Sequence, residues 1–323
     1  MSCVFRGPIF LGLICALVSS VALRGEQKVS FELRDGDRVA FLGNSFFERA
    51  RHHGYLETSL ALRWPERRIT FRNLGWDGDT VFGHSRTGGR RRSVFGDPEE
   101  GFGKMIAHLR QLDPTVIFIA YGWNESFAGL QGIAPFRAGL TRLLQNAGAP
   151  TRRFVLLTPV PLEQGFGTEL SSPRRTDPPP TTYLAGRNTI LKSYRDAIVS
   201  VATEGGHHLV DLFEALQQSK RSCTANGIHP SAEGYQDIAL IMARSLRLPD
   251  PAIALDSPEA GMLRSAIVRK NTLYFHRWRP RNDAFVYGER KQEQVTAQGE
   301  PEQFEPFVTK QEKHIREQLE ALR

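Results

Sequence analysis

Five short apolar runs alternate with stretches of helical periodicity between residues 38 and 246, and this alternation limits the fold more than any other feature of the chain. The runs cover 38–42, 69–74, 115–120, 153–158 and 208–212; the helical stretches cover 46–62, 103–112, 134–146, 183–203 and 231–246. Strands buried on both faces read as near-continuous apolar runs, and parallel strands need crossovers long enough to hold a helix. The expected fold class is therefore α/β, with a five-stranded parallel sheet between two helical layers, a three-layer α/β/α arrangement.

After Pro249 the alternation stops. Residues 249–323 are rich in charge, with a short hairpin expected around Lys270-Asn271 and a closing helix over 309–323 that carries Ile315, Leu319 and Leu322 on one stripe. Phe275-His276-Arg277-Trp278-Arg279-Pro280 mixes aromatic and basic residues. Such a segment can meet a glycan or a protein partner, although folding back on the core is the commoner outcome. The long connection over 162–182, with its three successive prolines, leaves the carboxyl edge of the sheet, where ligands of open α/β folds sit.

The first residues read as an export signal. Arg6 supplies the positive start, residues 8–21 the apolar stretch, and Ser20-Val21-Ala22 a small-residue cleavage site. Residues 1–22 would then be removed, the mature chain would begin near Leu23, and the expected location is periplasmic or extracellular. The apolar stretch falls short of the roughly 20 residues of a membrane helix, so a membrane contact follows only if the signal stays uncleaved. Three segments result: a signal over 1–22, the α/β domain over 23–248 and a partly helical extension over 249–323. Cys3 and Cys15 lie within the signal, which leaves Cys223 without an intrachain disulfide partner; a packed thiol is the simplest role for it.

The formal net charge of +7 comes from scattered basic residues, and only Arg86-Thr87-Gly88-Gly89-Arg90-Arg91-Arg92 forms a dense run. No nucleic-acid motif accompanies it, so a solvated loop is the simpler reading and no nucleic-acid partner is expected. The nine histidines show no metal-ligand spacing, and neither a metal nor an organic cofactor is implied.

Four polar segments fall at the ends of expected strands or ahead of the last core helix: Gly43-Asn44-Ser45, Asn73-Leu74-Gly75-Trp76-Asp77-Gly78-Asp79-Thr80, Gly122-Trp123-Asn124-Glu125 and Asn226-Gly227-Ile228-His229-Pro230. A serine at a strand-to-helix turn sits at the positive end of a helix, where main-chain N–H groups face developing negative charge. Taken one at a time, Ser45 could be a helix cap, Gly78 a turn, Asn124 a loop amide and His229 a surface histidine. Their joint occurrence in this order points to chemistry.

Together the four segments resemble the sequence blocks of the SGNH (GDSL-like) hydrolases, over most of residues 38–246. The resemblance implies a flavodoxin-like α/β fold, a Ser45 nucleophile, a His229 general base, and an oxyanion hole made by the Ser45 and Gly78 main-chain N–H groups and the Asn124 side chain. It implies an ester hydrolase acting through an acyl-enzyme on a small-molecule or glycan ester, with an O-acyl or O-acetyl carbohydrate as the expected substrate class. Two positions depart from the pattern. Asn44 stands where the first block has Asp, and Asn226 stands where the last block has the Asp of the triad. An asparagine can hold the base in one tautomer but cannot stabilise the imidazolium as a carboxylate does. The expectation is that the Asn226 oxygen accepts from the His229 ring; otherwise Asp211 or Glu125 would orient the base. The alternative function is a non-catalytic module on the same scaffold that binds a glycan or protein.

Overall fold

In β1 (Arg38–Gly43) alternate side chains enter different cores: Val39 and Phe41 pack on one face of the sheet, Ala40 and Leu42 on the other. The same two-sided burial recurs in β2 (Thr70–Gly75), β3 (Val116–Ala120) and β4 (Arg153–Leu157), while β5 (His208–Val210), at the edge, fully buries only Val210. All neighbouring pairs are parallel, in the order β2-β1-β3-β4-β5. The computed structural model describes residues 30–86, 98–165, 181–219, 221–279 and 299–322, together with Met1. The export signal beyond Met1, nearly all of the basic run and residues 166–180 of the long connection after β4 lie outside the described residues.

One face is covered by α1 (Ser45–His53), α2 (Tyr55–Ala61), α6 (Leu212–Gln217) and α7 (Ala232–Ser245), whose apolar side chains share a core with Phe41 and Phe118. The other face is covered by α3 (Pro98–Leu112), α4 (Ile133–Ala147) and α5 (Thr181–Glu204) around Leu42, Ile117 and Ile119. The three-layer α/β/α expectation therefore holds. The helix expected over 46–62 is divided at Gly54, whose φ of 70° ends α1 in a left-handed cap, a conformation that favours glycine.

The expected hairpin at Lys270-Asn271 is absent. Both residues lie inside α8 (Pro258–Trp278), and the lysine is buried: Lys270 Nζ meets both oxygens of Glu57 at 2.7 and 2.9 Å and the Phe71 carbonyl at 3.1 Å. The closing helix, α9 (Glu305–Glu320), buries Val308, Ile315 and Leu319. Residues 31–323 form one compact unit, so the described part of the extension packs with the α/β core rather than standing apart. The aromatic-basic segment folds inward as well: Phe275 is buried and Trp278 lies edge-on to Trp76 at 5.7 Å. No described helix is long and apolar enough to cross a membrane.

Candidate active site

Ser45 opens α1 directly after the strand that lies next to both β2 and β3. The helix cap is Asn44, whose Oδ1 accepts from the Phe46 N–H at 3.0 Å. The asparagine thus meets the local need for a tether at this turn, and the Ser45 hydroxyl is left out of the capping. As the first residue of the helix, Ser45 presents a main-chain N–H that no helical carbonyl can reach. The chain after β1 can approach β2 this closely because residue 75 is glycine; a Cβ there would lie 2.2 Å from the Glu48 nitrogen.

The loop after β2 reaches back to the serine. Gly78, at φ 73°, directs its N–H at Ser45 Oγ over 3.4 Å. The loop after β3 carries Asn124, whose Nδ2 donates one hydrogen to the Asp79 carbonyl at 2.8 Å and retains a second. Ser45, Asn124 and His229 line one cavity of about 210 Å³, with apolar walls that include Phe46, Val160 and Ile228. The structure thus brings together Ser45, Gly78, Asn124 and His229, residues spread over 185 positions of sequence.

His229 is half-buried, and its pKa is lowered from the ordinary histidine value by desolvation first and by the Arg49 guanidinium second, with Asp77 acting the other way. The ring is accordingly neutral at pH 7, the state a base needs. Its loop is braced by a short antiparallel bridge between Thr224 and Pro230 and by the Ala225 N–H on the His229 carbonyl at 2.9 Å. The Glu163 carboxylate accepts from the amides of Cys223 and Thr224 and from the Ser222 hydroxyl. Sequence reasoning missed Glu163, which follows β4 and carries no motif. Cys223 is buried with its thiol pushed up to about 12 by desolvation, which fits a packed role and not a nucleophile.

The expectation for Asn226 needs correction. Its Oδ1 accepts from the main-chain N–H groups of Ile228 at 3.2 Å and His229 at 2.9 Å, so the side chain shapes the loop and does not hold the ring. Short polar side chains commonly bond to amides two or three residues on, and that local contact wins here. Neither substitute carboxylate meets the His229 ring. Asp211 caps α6 and pairs with Arg195, while Glu125 accepts from Val81 and Gly122. The carboxylate that His229 does sense is Asp77, beside Gly78. We expect Asn226→Asp to keep both amide contacts and the fold while adding a negative charge near the ring. A carboxylate favours the imidazolium, so the acid limb of a pH–rate profile should move to higher pH. Asn226→Ala should lower stability by about 1–3 kcal/mol, the usual cost of losing two loop hydrogen bonds, measurable by urea denaturation.

The sequence model of the GDSL-like Lipase/Acylhydrolase family matches residues 41–236. The chain is similar to GDSL esterase/lipase CPRD49 of Arabidopsis thaliana, at 26% identity over 141 residues. That match covers 40% of this chain and 52% of the plant protein, so the chain spans about half the length of this curated relative. Among solved structures, a catalytic mutant of Axe2, an acetylxylan esterase from Geobacillus stearothermophilus, superposes with a TM-score of 0.50 at 16% identity, covering 68% of this chain and 98% of that one. A lipase/acylhydrolase from Enterococcus faecalis gives a TM-score of 0.44 at 20% identity, over 69% of this chain and all of the other.

Proposed function

The chain belongs to the GDSL-like lipase/acylhydrolase family, and on that premise we propose that it is an exported ester hydrolase that forms an acyl-enzyme on Ser45. The observation that carries this reading is the approach of the Gly78 N–H to Ser45 Oγ beside a cavity that Asn124 and His229 also line. In the reaction His229 takes the proton of the Ser45 hydroxyl as Oγ attacks the ester carbonyl. The oxyanion is received by the main-chain N–H groups of Ser45 and Gly78 and by the second N–H of Asn124. His229 then passes its proton to the departing alcohol, and a water molecule, activated by the same ring, releases the acid and restores Ser45. The mechanism requires Ser45 Oγ and the His229 ring within hydrogen-bond distance in the substrate complex, where contacts of this kind commonly tighten.

The cavity suggests how the ester divides. Its volume of about 210 Å³ lies below the roughly 300–1,000 Å³ of pockets that enclose drug-sized ligands. An apolar acyl group of a few carbons fits; a bulky alcohol has to remain at the mouth. That division suits an O-acyl or O-acetyl group carried on a carbohydrate, and the fold shared with an acetylxylan esterase agrees with it.

The test uses p-nitrophenyl esters and acetylated oligosaccharides with the mature protein. Burst release of p-nitrophenol, and an acyl adduct found by mass spectrometry on the peptide that contains Ser45, are the expected results. Glycan binding without any turnover that depends on Ser45 would instead indicate a binding module. Export predicts a mature N-terminus near Leu23; N-terminal sequencing that begins at Met1 in a membrane fraction would exclude cleavage.

A further inference from the structure

The loops after β2 and β3, which carry Gly78 and Asn124, are joined by more than the Asn124 amide. Glu125 is buried between them, and its two oxygens take one main-chain N–H from each loop: Oε1 from Val81 at 2.8 Å and Oε2 from Gly122 at 2.7 Å. Val81 lies three residues after Gly78, and Gly122 two residues before Asn124. A further tie runs beside it, where the Asp79 carboxylate accepts from Tyr121 Oη at 2.8 Å and pairs with buried Arg86 at 2.7 Å. Arg86, the first residue of the dense basic run, is therefore an internal counter-ion and not a surface charge.

We propose that Glu125 is a positioning residue whose carboxylate, only while ionised, sets the distance between Gly78 and Asn124 and thereby governs turnover. The inference rests on the reading of those two residues as oxyanion donors. An ionised carboxylate offers two acceptors to its two N–H partners. Protonation converts one oxygen into a donor that faces an N–H, so one loop is released. The Gly78 N–H already stands 3.4 Å from Ser45 Oγ, and further slack there weakens the hole directly.

The surroundings make that protonation accessible near neutrality. Burial is the largest influence on Glu125 and raises its pKa to about 7 against the pull of its amide partners, with the negative charge of Asp79 adding to the rise. Arg86 offsets Asp79, and Tyr121 completes that group. From α5 the facing groups are Tyr194, which bonds the Gly129 carbonyl, and Arg187, which bonds Ser126.

The experiment combines amide NMR of the wild-type protein with steady-state kinetics from pH 5 to 9 for wild type, Glu125→Gln, Glu125→Asp and Asn124→Ala. The Val81 and Gly122 amide shifts should titrate together with a midpoint near 7. Wild-type kcat should fall through the same pH. Glu125→Gln should lower kcat about 10- to 100-fold with little change in KM, as expected for misplacement on the order of 1 Å, and should abolish that inflection. Glu125→Asp, which keeps the charge, should recover part of the loss together with the inflection. Equal loss in both variants with an unaltered pH profile would reduce Glu125 to a structural role and overturn the proposal. Amide shifts that stay flat across pH 7 would overturn it without recourse to any variant. Asn124→Ala separates the premise from the inference. An unaffected Asn124→Ala places the failure in the oxyanion reading; an impaired Asn124→Ala beside a normal Glu125→Gln places it here.

Discussion

Ser45→Ala and His229→Ala are each expected to lower kcat by about 10⁵- to 10⁶-fold, and the double variant no further than either alone. In the proposed mechanism a nucleophile and its base act as one device, so once either is missing the other has nothing left to do and the losses do not add. A residual rate of about 10³ to 10⁴ over uncatalysed hydrolysis should survive, because the main-chain donors at Ser45 and Gly78 and the Asn124 amide remain in place to polarise the ester. The measurement is turnover of a p-nitrophenyl ester at pH 8, where His229 is neutral, with the fold of each variant checked by circular dichroism. Losses that multiply in the double variant would mean that the two side chains work on separate steps.

Lys270→Ala should produce the largest loss of stability of any single substitution considered. The ammonium is 1% exposed and its partner Glu57 6%, and the pair joins α8 to α2 and β2. Burial pushes the Glu57 carboxyl up and the Lys270 ammonium down, while the attraction between them opposes both shifts. Removing the lysine leaves a buried carboxylate with only the Asn271 amide at 3.2 Å, a situation that typically costs about 3–5 kcal/mol. For a domain of this size that corresponds to a fall in Tm on the order of 10 °C, readable by thermal denaturation. The paired change Glu57→Leu with Lys270→Met should restore most of the loss, because two apolar side chains of similar volume leave no charge stranded. If the pair destabilises as much as the single change, packing rather than charge explains the effect.

The fold was legible because parallel strands buried on both faces leave an unmistakable run of apolar residues, and five such runs separated by helical periods admit few arrangements. Boundaries were less so. The fifth strand ends at Val210, two residues early, because Asp211 turns to cap α6 with its own side chain. The hairpin expected at Lys270-Asn271 failed for a deeper reason: the partner that buries Lys270 is 213 residues away, and no local pattern records it. In the site, Ser45, Gly78, Asn124 and His229 were picked out through the resemblance of their four segments to the SGNH blocks, and the structure brings them together because each sits beside a strand end or a core helix. The partner of Asn226 was not readable, since a short amide chooses between ring and main chain by fractions of an ångström. Glu163 and the bridging role of Glu125 were hidden for a related reason. Most of their partners are main-chain amides, which are the same at every position and leave no trace in the sequence.

The sheet has two outer strands, β2 and β5, and the treatment of β2 bears on how this protein behaves at high concentration. An outer strand offers unpaired carbonyls and amides that a second chain can match, and most proteins guard against this with charge or a covering segment. Here both devices coincide. The Phe71 carbonyl is claimed by Lys270 from α8 and by Arg72 at 3.1 Å, and Arg72 itself is tied to Glu312 of α9. The described helices α8 and α9 thus cover part of this outer strand. A fragment trimmed back to the catalytic core would keep every residue of the cavity yet present a bare six-residue strand to its neighbours, and its failure in a preparation would be self-association rather than loss of chemistry.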